Sequence, residues 1–133
     1  MKRLITLLMI AFFSLNLAVA QEKEEAESGA KTVFDTTIHN FGVIKEEKGP
    51  VSCDFKITNE GDEPLIIIYA RASCGCTKPD YPRKPIAPGK SGIIKVTYNP
   101  RNRPGGFSKM VRVKTTDAFT TLILEGTVIP KQK

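Results

Sequence analysis

The chain has 133 residues, 41% hydrophobic and 26% charged, enough for one domain with its own core and too few for two. That balance excludes a disordered chain and a polytopic membrane protein. Lys and Arg number 20 against 14 Asp and Glu, and a single His, 3 Cys and no Trp leave little for acid–base, nucleophilic or metal chemistry, which weighs against most enzyme mechanisms.

Met1-Lys2-Arg3 is a short basic start, 4–13 is an almost unbroken apolar run, and Ala18-Val19-Ala20 supplies the small residues of a cleavage site. The sequence therefore predicts a signal peptide over 1–20 and a mature chain starting at Gln21. The protein is expected to be periplasmic or secreted, with no membrane span after cleavage and no lipid anchor, since the first cysteine is Cys53. Residues 21–30 carry Glu22, Glu24, Glu25 and Glu27 without an apolar period and read as a flexible acidic leader. Over 31–133 the count is 17 basic to 10 acidic, so the domain is basic; the charges are scattered singly and read first as a solvated surface, with attraction to an anionic partner as the functional reading. An envelope protein or an anionic envelope polymer is the expected partner class. Nucleic acid is not, because the cations are scattered singly and not interleaved with exposed aromatics.

Beyond residue 31 the sequence breaks repeatedly at Gly, Pro, Asn and Asp, and the segments between are rich in Val, Ile, Thr, Phe and Tyr. Strands are predicted over 33–37, 41–44, 51–58, 65–69, 93–98, 110–113 and 121–128. In 51–58, Val51, Cys53, Phe55 and Ile57 alternate with Ser52, Asp54, Lys56 and Thr58, so one set faces a core and the other water. Segment 65–69 is continuously apolar and reads as a strand buried on both faces. Tyr69, Phe41 and Tyr98 are expected core aromatics, not ring faces for a carbohydrate. About seven strands in about 100 residues, with no helical period, predict an all-β fold. The expected form is an immunoglobulin-like sandwich of antiparallel strands over 31–133, with a small barrel as the alternative. No βαβ unit or glycine-rich phosphate loop supports a nucleotide site.

Cys74-Gly75-Cys76 is the one constellation able to carry chemistry, since residues two apart in an extended segment point to the same side. Three readings stand. A Cys74–Cys76 disulfide closes a very small ring and is comparatively reducible, hence a redox element. A pair of thiolates gives half of a tetrahedral zinc shell or most of a Cu(I) site, with His39 as candidate third ligand. The plainest is a staple that fastens a loop to the sandwich, the usual use of cysteine in small exported domains. On that reading no cofactor is expected; copper or zinc belongs to the second.

Cys53, on the apolar phase of its strand, is expected to be a buried, inert thiol. A simple hairpin about Gly61 would set Cys53 opposite Tyr69 and about 16 Å short of Cys74, whereas a crossing between sheets leaves that distance open. Arg71, Lys78, Arg83 and Lys84 lie in a proline-rich connection, 71–90, read as one long ordered loop that presents a basic binding rim beside the cysteines, covers a sheet edge, or does both.

Four segments stand out by order and spacing: His39-Asn40-Phe41-Gly42-Val43-Ile44, Asn59-Glu60-Gly61-Asp62-Glu63-Pro64-Leu65, Ser73-Cys74-Gly75-Cys76-Thr77 and Pro85-Ile86-Ala87-Pro88-Gly89. Together they resemble the exported bacterial family DUF1573, a domain of unknown function related to Hydin-type immunoglobulin-like domains. The resemblance covers nearly all of 31–129, and its most specific part is the Ser-Cys-Gly-Cys-Thr segment. It implies a seven-stranded sandwich, export, and a non-enzymatic role in binding or assembly. Cys53 lies outside the family pattern. The expected function is thus an exported, non-enzymatic binding or structural module of the envelope. The alternative is a thiol redox or metal-binding protein using Cys74-Gly75-Cys76.

Overall fold

The computed structural model describes residues 28–133; the expected signal peptide, 1–20, and residues 21–27 of the expected leader lie outside the described residues. The alternation in 51–58 becomes β3 (Val51–Asn59), with Cys53, Phe55 and Ile57 buried and Ser52, Asp54 and Lys56 exposed. The other strands are β1 (Thr32–Phe34), β2 (Ile38–Lys45), β4 (Ile67–Ala72), β5 (Thr77–Asp80), β6 (Ser91–Tyr98), β7 (Gly105–Thr115) and β8 (Phe119–Ile129). They form two four-stranded sheets, β1-β3-β6-β5 and β2-β8-β7-β4. Phe55, Ile57, Ile94, Val96 and Tyr98 of the first sheet meet Val111, Val113, Leu122 and Leu124 of the second in one core. Each such apolar side chain contributes roughly 1.5–3 kcal/mol by leaving water. The result is an all-β sandwich of immunoglobulin-like type.

The structure departs from the sequence expectations at several points of the fold. β2 runs parallel to β8, not antiparallel; the strand that follows β2 in the chain is β3 of the other sheet, so no hairpin joins β2 to β8 and dictates their relative direction. The 65–69 run is not buried on both faces: Leu65 and Ile67 point inward, while Ile66 and Ile68 are 42% and 52% exposed. β4 is the edge of its sheet and only its inner face is covered. The 71–90 connection is not one loop, because it contains the end of β4 and all of β5. Pro79 is tolerated within β5 because that strand is an edge and one of its sides needs no donor. Finally, Gly29 and Ala30 belong to the folded unit, not to a flexible leader. Gly29 N donates to Asp62 Oδ1 at 2.6 Å, Asp62 N donates to Gly29 O at 2.9 Å, and Ala30 packs on the core.

Two of the four segments that carry the family resemblance meet at one buried side chain. Asn59, wholly buried at the end of β3, donates from Nδ2 to Glu63 O at 2.7 Å and to Ile86 O at 2.9 Å. Its Oδ1 accepts from Gly61 N at 2.9 Å and Lys31 N at 3.3 Å. Leu65 bridges Ile86 beside it, and Gly89 N donates to Asn59 O at 2.8 Å. This amide therefore fixes the crossing from β3 to β4 between sheets, which backbone pairing alone cannot do there. The 39–44 segment is a bulge in β2: the register with β8 shifts between Asn40 and Val43, Asn40 Oδ1 accepts from Gly42 N at 2.7 Å, and Gly42 has φ 65°. The bulge aims Phe41 at Phe107, 6.4 Å between ring centroids, and Phe107 stacks on Tyr98 at 4.1 Å.

At the opposite end, Asp117 clamps the β7–β8 turn to the first strand. It accepts from Thr32 N at 2.8 Å and Thr32 Oγ1 at 2.5 Å, and from Thr115 Oγ1 at 2.9 Å. Burial pushes the Asp117 carboxyl up, but the hydrogen bonds from Thr32 and Thr115 outweigh it and leave it below its ordinary value. The sign follows: the clamp stabilises fully above the unfolded carboxyl value of about 4, and its contribution is lost as pH falls through the folded value. Thermal melting from about pH 6 to about pH 2 is expected to show a shallower acid decline for Asp117→Asn than for the parent. Equal slopes would remove the clamp from the account.

Candidate functional site

The cysteine segment sits where the chain leaves β4, at the edge of one sheet, and enters β5, at the edge of the other. Ser73 N donates to Met110 O at 3.1 Å and ends the β4–β7 pairing, and Asn99 N donates to Cys76 O at 2.8 Å and begins contact with the first sheet. Between these anchors Cys74 and Cys76 are bonded to each other, with Cα atoms 5.2 Å apart. Thr77 N donates to Cys74 O at 3.2 Å, closing a tight turn. Gly75 is exposed at its tip, Cys74 is partly exposed, and Cys76 is buried against the core. Chemically, this cystine can hold two sheet edges together or exchange with an incoming thiolate at its exposed side.

Cys53 does not join this unit. The register Cys53–Val96–Pro79 puts Cys76 two strands across and three residues along, about 14 Å away. Burial pushes the Cys53 thiol up to about 11, with Asp54 adding to the effect, so at neutral pH it carries no thiolate to react. Alkylation followed by mass spectrometry is expected to find no rapidly labelled thiol in the native protein, one after denaturation and three after reduction. A peptide linking Cys53 to Cys74 or Cys76 would contradict this arrangement.

The remaining residues singled out from sequence are spread over both sheets. His39 is on β2, the edge of the second sheet opposite to β4, and its ring meets Phe41 edge-on at 4.5 Å. Its position thus fails the expectation of a third ligand beside Cys74 and Cys76. Among the described residues no group of three His, Cys, Asp or Glu side chains is placed to hold a metal. Arg71 is a β4 residue, Lys78 is on β5 in the other sheet, and Arg83 and Lys84 lie between β5 and β6. Arg83 stacks on Tyr81 at 4.1 Å and donates to its hydroxyl at 2.7 Å. Arg71 and Lys78 thus flank the cystine turn on two different sheets, and Arg83 and Lys84 follow β5.

What the topology does assemble is a face that sequence reading missed. β4 and β7 pair so that Arg71 opposes Arg112 and Tyr69 opposes Lys114. β7 and β8 then set Lys114 opposite Phe119, Arg112 opposite Thr121 and Met110 opposite Ile123, and β2 adds Ile38 beside Ile123. All lie on the outer side of the second sheet, because Val111, Val113, Leu122 and Leu124 take the inner one. Tyr69, expected in the core, is partly exposed here, since the register shift between Ile67 and Tyr69 turns it to the outer face of an edge strand. The Arg71 guanidinium lies 4.5 Å over the Tyr69 ring and Lys114 Nζ 4.0 Å over Phe119. The alternation of Met110, Arg112 and Lys114 with Val111 and Val113 was visible in the sequence, but the β4–β7 pairing that brings Arg71 to Arg112 was not.

A family model described as a protein of unknown function, DUF1573, matches residues 32–128. No curated protein matches the sequence. Among solved structures the fold is similar to a protein of unknown function from Porphyromonas gingivalis W83, with TM-score 0.65 and 13% identity over 75% of this chain, which spans 47% of that one. It is similar to the ASH / PapD-like domain of human CEP192, with TM-score 0.58 and 12% identity over 77% of this chain and 87% of that one. A third likeness is the YadV chaperone, with TM-score 0.53 and 15% identity over 73% of this chain and 51% of that one. At these identities the likeness is of fold alone.

Proposed function

We propose, for a chain that belongs to the DUF1573 family of proteins of unknown function, an exported, non-enzymatic binding module of the cell envelope. One observation carries the reading: the residues of the family segments are spent on construction. Asn59 ties the β3–β4 crossing to Ile86, Asn40 holds the Gly42 bulge, and the cystine closes the β4–β5 crossing. A chain whose turn and crossing residues build the scaffold leaves specificity to its outward side chains, as a binding domain does. Likeness of fold to a chaperone and to a PapD-like domain supports a protein partner. The basic start and small-residue cleavage site support export.

Chemical crosslinking in intact envelopes, followed by capture of the full chain, tests the proposal. The expected result is a reproducible partner and a captured chain whose intact mass begins at Gln21. Turnover of a defined substrate with no partner recovered would overturn it. A second reading, thiol exchange, rests on the partly exposed Cys74 bonded to the buried Cys76. In that step a partner thiolate attacks Cys74 sulfur, forming a mixed disulfide and releasing Cys76 as thiolate. A Cys74→Ser/Cys76→Ser chain that captures the same partner with equal yield separates the two readings in favour of binding.

A further inference from the structure

We infer that the outer face of the second sheet is the docking surface for an extended polypeptide segment of a partner protein, one whose side facing the sheet carries both acidic and apolar side chains. This rests on the binding reading and names its surface and partner class. The two outer faces of the sandwich differ in how their charges are arranged. On the first sheet Lys95 is set opposite Asp54 and Asp80, Lys56 Nζ is 3.9 Å from Asp35, and Lys78 is set opposite Thr97 with Asp80 two residues along β5, so no two cations oppose each other there. On the second sheet Arg71 is set directly opposite Arg112, with Lys114 two residues along β7. Among the described residues no carboxylate lies within ion-pair distance of these three. Like charges directly opposite across a strand pair are destabilising, so this arrangement is disfavoured in the free chain and relieved by an anion laid across both. Arginine's planar donor fork suits carboxylates in particular.

The rest of the face decides between a polyanionic polymer and a polypeptide. Beside the cations run Met110, Ile123 and Ile38 in one row, with Met110 50% and Ile38 52% exposed, and Phe119 is 66% exposed. An aliphatic row has nothing to offer a charged polysaccharide, but it accepts apolar side chains of a peptide. The spacing is also that of a strand: Met110, Arg112 and Lys114 follow each other at two-residue steps, about 6.8 Å apart. An extended segment whose every second residue reads apolar, acidic, acidic matches those three positions side chain for side chain.

Site-specific photo-crosslinking with the full chain in its source cells tests the inference. A benzophenone amino acid replaces Thr121, opposite Arg112 on this face, or Thr97, on the outer face of the first sheet. Expected is an adduct from position 121 and not from 97, whose attached peptide, sequenced by mass spectrometry, carries acidic residues two apart next to apolar ones. Arg71→Glu/Arg112→Glu is expected to lower that yield about tenfold at an unchanged melting temperature, and Ile123→Ser about threefold. If the double reversal fails to fold, Arg112→Glu alone carries the comparison. An adduct from position 97 alone, a yield indifferent to charge reversal, or a polysaccharide adduct would overturn the docking face and leave a binding module standing. No adduct at either position, together with no partner by chemical crosslinking, would overturn the binding reading itself.

Discussion

Asn59→Ala is expected to destabilise the fold by about 3 kcal/mol or more, a large part of the roughly 5–15 kcal/mol that holds a domain of this size. The substitution deletes four hydrogen bonds at once, two donated to Glu63 O and Ile86 O and two accepted from Gly61 N and Lys31 N. The Ile86 carbonyl keeps the Leu65 amide at 2.8 Å, so the cost falls mainly on the Glu63 carbonyl and the Gly61 and Lys31 amides, which lose the Asn59 side chain as partner, and leaving such groups unpaired costs more than the bonds' net worth in water. Asn59→Asp separates donor from acceptor. It keeps the oxygen that takes the Gly61 and Lys31 amides but turns the other end into an anion facing two carbonyls, so it too should destabilise at neutral pH. Protonation in mild acid should restore part of the loss, because a carboxylic acid can donate. Urea unfolding of the three proteins measures this directly. A shift of under about 1 kcal/mol for Asn59→Ala would mean that the crossing is held by something else.

Gly126→Val carries the second large effect, and it acts at the other end of the sandwich. A Cβ at this position falls 2.7 Å from Phe107 Cζ and 3.0 Å from the Gly42 carbonyl oxygen. Valine suits a strand by propensity, so the expected loss of about 2–3 kcal/mol comes from displacing the Phe107 ring and not from the backbone. That ring stacks on Tyr98 and abuts Phe41, so its movement unsettles the β2 bulge as well. Phe107→Leu in the Gly126→Val background is expected to recover part of the loss, although alone it costs packing. A double-mutant cycle with no coupling between the two positions would contradict the contact.

Much of the architecture was legible because sheet burial writes itself as a period of two. The strand 51–58 could be read with its facing, and Asn59-Glu60-Gly61-Asp62 correctly marked its end. Where the expectation failed, the missing information was non-local. The apolar run 65–69 does not say that β4 is an edge with one face open, and Pro79 hid a four-residue edge strand in what reads as loop. The same limit governs the site. Cys74 and Cys76 are two residues apart, so their partnership was among the readings from spacing alone. Arg71 and Arg112 are 41 positions apart and meet only because β4 pairs with β7, a fact of topology that no local pattern carries. The charges of the first sheet show the same thing in reverse: Asp54, Lys95 and Asp80 look scattered along the chain but form one compensated row.

The most direct measurement is chemical-shift mapping of the isotope-labelled chain titrated with the partner that crosslinking captures. The account requires shifts confined to the outer positions of β4, β7 and β8, among them Arg71, Arg112, Thr121 and Ile123, with Gly75 and Thr77 at the cystine turn unmoved. Shifts centred on Cys74 to Thr77 with the outer face of the second sheet silent, accompanied by chemical change in the partner, would contradict it.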